Sequence, residues 1–446
     1  MLPCRLPRVV ADLLGVSHFD LIIVGAGPGG SNAASVALDA GLRVAQLDAA
    51  AFPRVKPCAG GITLKAVGAL RSPLDASACQ TFSEMECNLW GRRRNRFAHP
   101  LVLMRTVCRP EFDNRLVQTN LRRRNFTFMD GQRVLDVAYD GHFVVRTRAG
   151  SVTGTQLIGA DGAYSLVNRI FKIAAPRTLA TAVEINIPRN GRETLRHDVP
   201  CLDFGAVPQG YGWVFPKHDH WSAGLYTLSR RTPNIRDALT GYLRAKGLLS
   251  GDRLPAGMEA FRIPIGGFRL RTPSCPVYVT GDAGGFADAL TGEGIYAALE
   301  SGRLAGEAAV DVASGRGRHQ AYYRRLWRSV LGDTALSYVV AKQFYRDLDR
   351  GMTWLEHPLA WHSLVEGAAR GATFAECISK GAAFVVRSRA RRMPGIGPAA
   401  CRVATAAWPA ASTDVARHTS GVTGIRTTRD SGAQSLLDAI PFSIQR

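Results

Sequence analysis

Near the start of this 446-residue chain, Gly25-Ala26-Gly27-Pro28-Gly29-Gly30 has the spacing G-x-G-x-x-G. The first glycine of such a run permits a tight turn. The second lets backbone approach a pyrophosphate, and the third lets a helix pack closely on a strand. A diphosphate held there rests on free helix N–H groups and the positive end of the helix dipole. The residues placed to hold one are Gly25, Ala26, Gly27, Pro28 and Gly30. Asp48 follows Gly30 by 18 residues, where a carboxylate suits a ribose diol and disfavours a 2′-phosphate.

A second glycine cluster, Gly281-Asp282-Ala283-Gly284-Gly285-Phe286, lies about 250 residues later and leads into Thr291-Gly292-Glu293-Gly294-Ile295. Asp282 can accept hydrogen bonds from a sugar-alcohol chain. The N–H groups opening a helix at Gly294 and Ile295 can face a flavin pyrimidine oxygen or a phosphate. Glycine segments this far apart imply a long ligand spanning two halves of a fold, and FAD fits that better than a nicotinamide does.

These motifs need particular elements to hold them. Phe19 to Val24 reads as a buried parallel strand, Ser31 to Ala40 as a helix stopped at Gly41, and Arg43 to Asp48 as the next strand. Leu157 to Gly162 is another strand and turn. Between about 177 and 270, short runs rich in Val, Ile, Phe and Trp alternate with Pro/Gly turns, which predicts an antiparallel sheet. Val277 to Thr280 is a strand, Gly294 to Ala309 a helix, and Gln320 to about Val386 mostly helical. A helix is expected to begin near Asp113.

The resulting architecture is α/β: a Rossmann-type FAD-binding domain with an antiparallel-sheet substrate domain and a helical C-terminal region. In sequence order the parts are an N-terminal extension (1–18), the first part of the FAD-binding domain (19–172), the substrate sheet (173–270), the last FAD-binding part (271–315), the helical region (316–394) and a disordered tail (395–446).

Composition narrows the setting. The nine cysteines form no C-x-x-C pair, which argues against a disulfide framework or a zinc ribbon, and no metal site is expected. Apolar runs stop well short of the ~20 residues a spanning helix needs. The first 18 residues lack a secretory signal, so a cytoplasmic setting is expected. The net charge of +20 comes from 49 Arg and only 7 Lys, a ratio that suggests codon bias. No nucleic-acid-binding motif accompanies it, and no nucleic-acid partner is expected. The most basic stretch runs from Arg316 to Arg392 and includes Arg324, Arg325, Arg328, Arg387, Arg389, Arg391 and Arg392. Such a face is compatible with peripheral contact at the inner, anionic surface of a membrane.

Several segments together resemble one enzyme family. GDAGGFADALTGEGIYAALESG (Gly281–Gly302) and GADGAYSLVNR (Gly159–Arg169) look like motifs of the p-hydroxybenzoate hydroxylase superfamily of FAD enzymes. AFPRVKPCAGGITLKAV (Ala51–Val67) resembles the FPRxKPCGGG segment of the geranylgeranyl reductase family within it. Pro208-Gln209-Gly210-Tyr211-Gly212-Trp213-Val214-Phe215-Pro216 reproduces that family's PxxYxWxFP motif in full. The resemblance spans residues 19–310. It implies FAD contacts at Asp48, Cys58, Ala59, Gly61, Arg109, Val134, Asp282, Gly294 and Ile295, with Asp161, Gly162, Gly281 and Gly292 in the same motifs.

The chemistry implied is reduction of isolated C=C bonds in a geranylgeranyl or other polyprenyl chain, with NADPH or a ferredoxin-type protein as electron donor. Cys58, on the loop expected to face the flavin, positions substrate or assists protonation; the other reading is a buried cysteine that only packs. Tyr211, Trp213 and Phe215 alternate, so on a strand they share one face, as an aromatic wall for an apolar chain or as core. Arg109 is placed to pair with the FAD diphosphate, and Glu293 and Lys217 are candidates for a head group or a proton path. Ala59 stands where the family has glycine, and a positive φ there would strain the loop. Two alternatives stay open. One is a flavin monooxygenase or halogenase, although the W-x-W-x-I-P segment of halogenases is matched imperfectly by Tyr211 to Pro216. The other is a homologue that binds FAD without turnover.

Overall fold

The computed structural model describes residues 18–75, 78–176, 178–189, 198–229, 234–251 and 254–379. Most of the N-terminal extension, the arginines from Arg387 to Arg392 and the tail 395–446 lie outside the described residues. The chain divides into two compact units, 1–390 and 391–446, and every described residue belongs to the first.

Strand β1 (His18–Val24) is buried on both faces, with Leu21, Ile22 and Ile23 fully covered. It pairs in parallel with Val44–Leu47 on one side and with β2 (Ser151–Gly159) on the other. The strand Val277–Val279 continues the parallel set beyond β2. Phe126–Met129, Asp136–Tyr139 and Phe143–Arg146 complete this seven-stranded sheet. Helix α1 (Pro28–Asp39) starts three residues before the expected Ser31, because proline is tolerated in a first turn. Helix α2 (Arg109–Leu121) likewise starts four residues before the expected Asp113, with Pro110 in its first turn. Helix α3 (Ile295–Ala313) starts where the sequence places it and runs four residues past the expected Ala309.

A second seven-stranded sheet contains β3 (Thr178–Pro188), β4 (Gly210–Pro216) and β5 (His220–Thr227) as neighbours in the order β3-β5-β4. It is mostly antiparallel, as expected, but Cys201–Phe204 runs parallel to Glu84–Leu89. That strand and Arg96–Ala98 come from inside the 19–172 stretch, so the sheet is discontinuous in sequence. One face packs Tyr211, Trp213, Phe215 and Tyr226 against Phe344 and Tyr345 of helix α4 (Gly332–Arg346). The other packs Val214 and Leu225 under Ile235–Ala245, a helix the strand reading of 177–270 passed over. Its signal was Leu239, Tyr242 and Leu243 at helical spacing. Among the described residues no helix is long and apolar enough to cross a membrane.

Candidate active site

The three glycine-bearing segments leave the first sheet side by side. Val24, Gly159 and Val279 are register neighbours at the carboxyl ends of their strands, and each leads directly into a motif. This edge is where open α/β sheets bind ligands. Gly25 has φ +104°, and a Cβ there would lie 2.1 Å from the Ala160 carbonyl oxygen. A Cβ at Gly29 would meet Thr280 Oγ1 at 2.8 Å, and one at Gly302 would meet the Gly29 carbonyl oxygen at 2.1 Å. Helices α1 and α3 therefore touch through glycine, which brings the two motifs to one groove. Asn32 Nδ2 fastens them by donating to the Leu299 carbonyl at 2.8 Å.

Two partly exposed carboxylates stand along this groove, each beside a cation. Asp48 accepts from the N–H groups of Ala26 (2.8 Å) and Ala50 (3.0 Å), and Arg54 Nε lies 3.6 Å from it. Arg54 reaches across the glycine turn: its Nη2 would be 3.4 Å from a Cβ on Gly27. Farther along, Asp282 lies 3.4 Å from Lys56 Nζ, and a Cβ on Gly294 would be 3.3 Å from Asp282 Oδ1. Gly162 turns toward the same lysine at φ +76°. The residues present fit FAD, because a bare glycine backbone, two helix N-termini, two carboxylates and two cations gather at the carboxyl edge of the first sheet.

The Cys58–Gly61 loop closes against the second sheet. Positive φ falls on Gly60 (+66°), not on Ala59, so the feared strain at Ala59 is absent. Lys217, just past β4, is buried and donates to the carbonyls of Ala59 (2.6 Å) and Val107 (2.9 Å). Burial pushes its ammonium down to about 8, so it remains an amine donor to both carbonyls on either side of that pH. The Phe215 ring lies 3.0 Å from where a Gly61 Cβ would be. Cys58 Sγ accepts from the Gly60 N–H at 3.4 Å.

Arg109 pairs within its own helix α2, with Asp113. Its guanidinium is buried and bound bidentately by Asp113 at 2.9 and 2.8 Å. Burial disfavours its charge, but Asp113 and the neighbouring Cys58 raise its pKa despite that. Asp113 also holds Arg54 Nη2 at 3.2 Å, so one carboxylate positions both guanidinium groups.

Tyr211, Trp213 and Phe215 do share one face of β4, as their alternation predicts. The Tyr211 hydroxyl donates to the Thr291 carbonyl and the Tyr226 hydroxyl to the Ala289 carbonyl, so this face grips the segment that enters Gly292. Glu293 accepts from the Tyr296 N–H at 2.6 Å, which caps the first turn of α3. Its carboxyl is pushed up by burial and drawn back by Lys65, 3.9 Å away. Asp161 caps the short helix Leu166–Phe171 through the Leu166 and Val167 N–H groups. Val134 is partly buried against the first core and Ile295 packs on Ile62 and Phe112; neither side chain has a polar role here.

Arg54, Lys56, Asp113 and Glu184 were not singled out from sequence. The signal for the first two lay in the quoted Phe52-Pro53-Arg54-Val55-Lys56-Pro57-Cys58 run itself. Glu184 was visible as one acid in the otherwise apolar run Ala182 to Ile185.

No family model matches the chain. It is 32% identical over 370 residues to an uncharacterised protein of Methanosarcina barkeri, covering 82% of this chain and 94% of that one. It is 31% identical over 316 residues to a menaquinone reductase of Mycolicibacterium smegmatis, covering 65% and 75%. A geranylgeranyl diphosphate reductase of Rhodobacter capsulatus is 30% identical over 307 residues, covering 66% and 75%. Among solved structures, a geranylgeranyl bacteriochlorophyll reductase-like protein of Thermoplasma acidophilum superposes with a TM-score of 0.67 at 18% identity, covering 82% and 96%. A flavin-dependent brominase gives 0.66 at 16% identity, covering 84% and 100%. These two similarities concern the fold.

Proposed function

The chain belongs to the geranylgeranyl reductase family of FAD-dependent oxidoreductases, and from that premise we propose that it saturates C=C bonds of a polyprenyl chain. The observation that carries this reading is the meeting of two segments far apart in sequence. The Cys58–Gly61 loop is held by Lys217 and Phe215 at the end of the aromatic strand. The named relatives reduce a geranylgeranyl diphosphate or a menaquinone, and both substrates carry a prenyl chain on different head groups.

Bound and reduced, FAD supplies a hydride to one carbon of the double bond. The chain's own residues bind, orient and exclude water. Asp48 and Asp282 would hold the ribose and the sugar-alcohol chain, and the N-termini of α1 and α3 would face the phosphates and the ring. Arg54 balances the diphosphate. Lys217 and Phe215 fix the Cys58–Gly61 loop that would face the ring. Cys58 lies where it can position the alkene. The electrons enter from NADPH or a ferredoxin-type donor.

Replacing Arg54 by Met is expected to weaken FAD binding by one to two orders of magnitude, measured by equilibrium dialysis. A charge-assisted hydrogen bond is worth about 1.5–3 kcal/mol. A tight R54M complex would remove Arg54 from the phosphate site.

The reading itself is tested by anaerobic stopped-flow absorbance. Protein reduced with dithionite is mixed with geranylgeranyl diphosphate or, separately, with menaquinone. The expected result is return of the oxidised-flavin band without oxygen and a more saturated chain by mass spectrometry. Reoxidation only on admitting air, stimulated by substrate, would move the assignment to an oxygenase.

A further inference from the structure

Between the Val55–Cys58 loop and the second sheet lies a cavity of about 290 Å³. Its lining is polar where it meets the sheet, with Glu184, Asn186, Lys217, His220 and Ser222 on that side. In register, Glu184 lies opposite Gly224, which lies opposite Trp213; the neighbouring row is Asn186, Ser222 and Phe215. Glu184 therefore stands on the same face as Trp213 and Phe215, with only the side-chain-free Gly224 between it and Trp213, in a cavity that Cys58 also lines.

The contacts of Glu184 are unbalanced. Its Oε1 accepts from Ser222 Oγ at 3.0 Å, and Ser222 in turn accepts from Trp213 Nε1 at 3.2 Å. Its Oε2 is buried and makes no hydrogen bond within 3.5 Å, in a residue that is 6% exposed, although the Cys58 N–H faces the carboxyl closely enough to favour its charge. An ionised carboxylate pays for a bare buried oxygen, whereas a neutral carboxylic acid puts an O–H there, aimed at whatever enters. Burial pushes the Glu184 pKa upward, and Glu259 on the adjacent strand adds to it. Ser222, Lys217 and the Cys58 N–H act against that rise. Lys217 is spent on two carbonyls and faces Cys108 as well as Glu184, so it is not a dedicated counter-ion.

We propose that Glu184 is the general acid of this site, delivering a proton to the alkene carbon that does not receive the hydride. The inference rests on the prenyl-reductase reading. In the step the Glu184 O–H bond breaks and a C–H bond forms, while the π bond is consumed. Hydride and proton together convert C=C to CH–CH. The carboxylate left behind regains its proton from water admitted to the cavity after the step, past a lining that includes Ser222 and His220.

The test compares wild type with E184Q, which keeps the shape and loses the acid. E184Q is expected to bind FAD and accept dithionite electrons normally. Its anaerobic reoxidation by the active prenyl compound should be at least ~100-fold slower, the usual worth of a positioned acid. In wild type the rate should be full below the Glu184 pKa and fall as pH rises through it; in E184Q that limb should vanish. A protonated-carboxyl infrared band that titrates with the rate in wild type should be missing from E184Q. Equal rates and equal pH profiles in an active protein would overturn the acid while leaving prenyl reduction standing. Wild type inert to every prenyl compound would overturn both. Should E184Q fail to hold FAD, E184D decides, because it keeps an acid one methylene farther back. A pH-dependent but slower E184D supports the assignment, and an E184D indistinguishable from wild type overturns it.

Discussion

Gly25→Ala is expected to yield a protein that purifies without FAD and binds it at least ~100-fold more weakly than wild type. Left-handed backbone costs an alanine about 1–2 kcal/mol. The larger penalty is the collision: the new Cβ would sit 2.1 Å from the Ala160 carbonyl oxygen and 3.0 Å from the Asp161 N–H nitrogen. Ala160 cannot retreat freely, because its own N–H is bonded to the Val24 carbonyl at 2.7 Å. Relief requires the carboxyl ends of β1 and β2 to part, which opens the groove where the phosphates would lie. Strain of this kind totals roughly 3–4 kcal/mol, enough for the loss of affinity. Gly41→Ala is the control. Its φ is also positive, at +84°, but nothing lies within 4 Å of its Cβ position, so it should lose a little stability and keep FAD. Stoichiometric FAD in G25A would show that the cofactor does not use this turn.

Asp113→Asn should be the most destabilising single change at the site, by about 3–5 kcal/mol, the cost of removing one partner of a buried ion pair. Asp113 is fully buried and Arg109 nearly so, and the amide left in its place cannot balance a guanidinium. Arg54 loses its anchor in the same substitution, so FAD affinity should fall along with the urea midpoint. The double variant R109M/D113L separates the two effects. Removing both charges should restore most of the stability, since a buried pair is often worth little against apolar packing. FAD binding should stay weak, because Arg54 is still unanchored. Wild-type stability in D113N would mean that Arg109 is neutralised by something other than Asp113.

The fold was most legible where constraints are local. The strand–glycine turn–helix at Phe19 to Asp39 could be read residue by residue, since a strand rich in Ile and Val, a positive φ and a helix start are decided within a few positions. The early start of α1 and α2 was missed only because proline reads as a breaker from sequence and is at home in a first turn. The alternation of Tyr211, Trp213 and Phe215 correctly predicted a shared face. It did not reveal that the Tyr211 hydroxyl would be tied to the Thr291 carbonyl, 80 residues away.

By itself, the sequence determined the family of this protein and its strand–glycine–helix turn, because close backbone approach admits only glycine and leaves a spacing that can be read. Tertiary structure alone decided the fate of the buried charges. Arg109 turns inward to Asp113, Lys217 becomes a clamp on the Ala59 and Val107 carbonyls, and Glu184 is left with one oxygen unsatisfied. A glycine's role follows from what its own backbone must do. The role of a buried ionisable group depends on which partners the fold delivers to it, and here most of those partners come from distant parts of the chain.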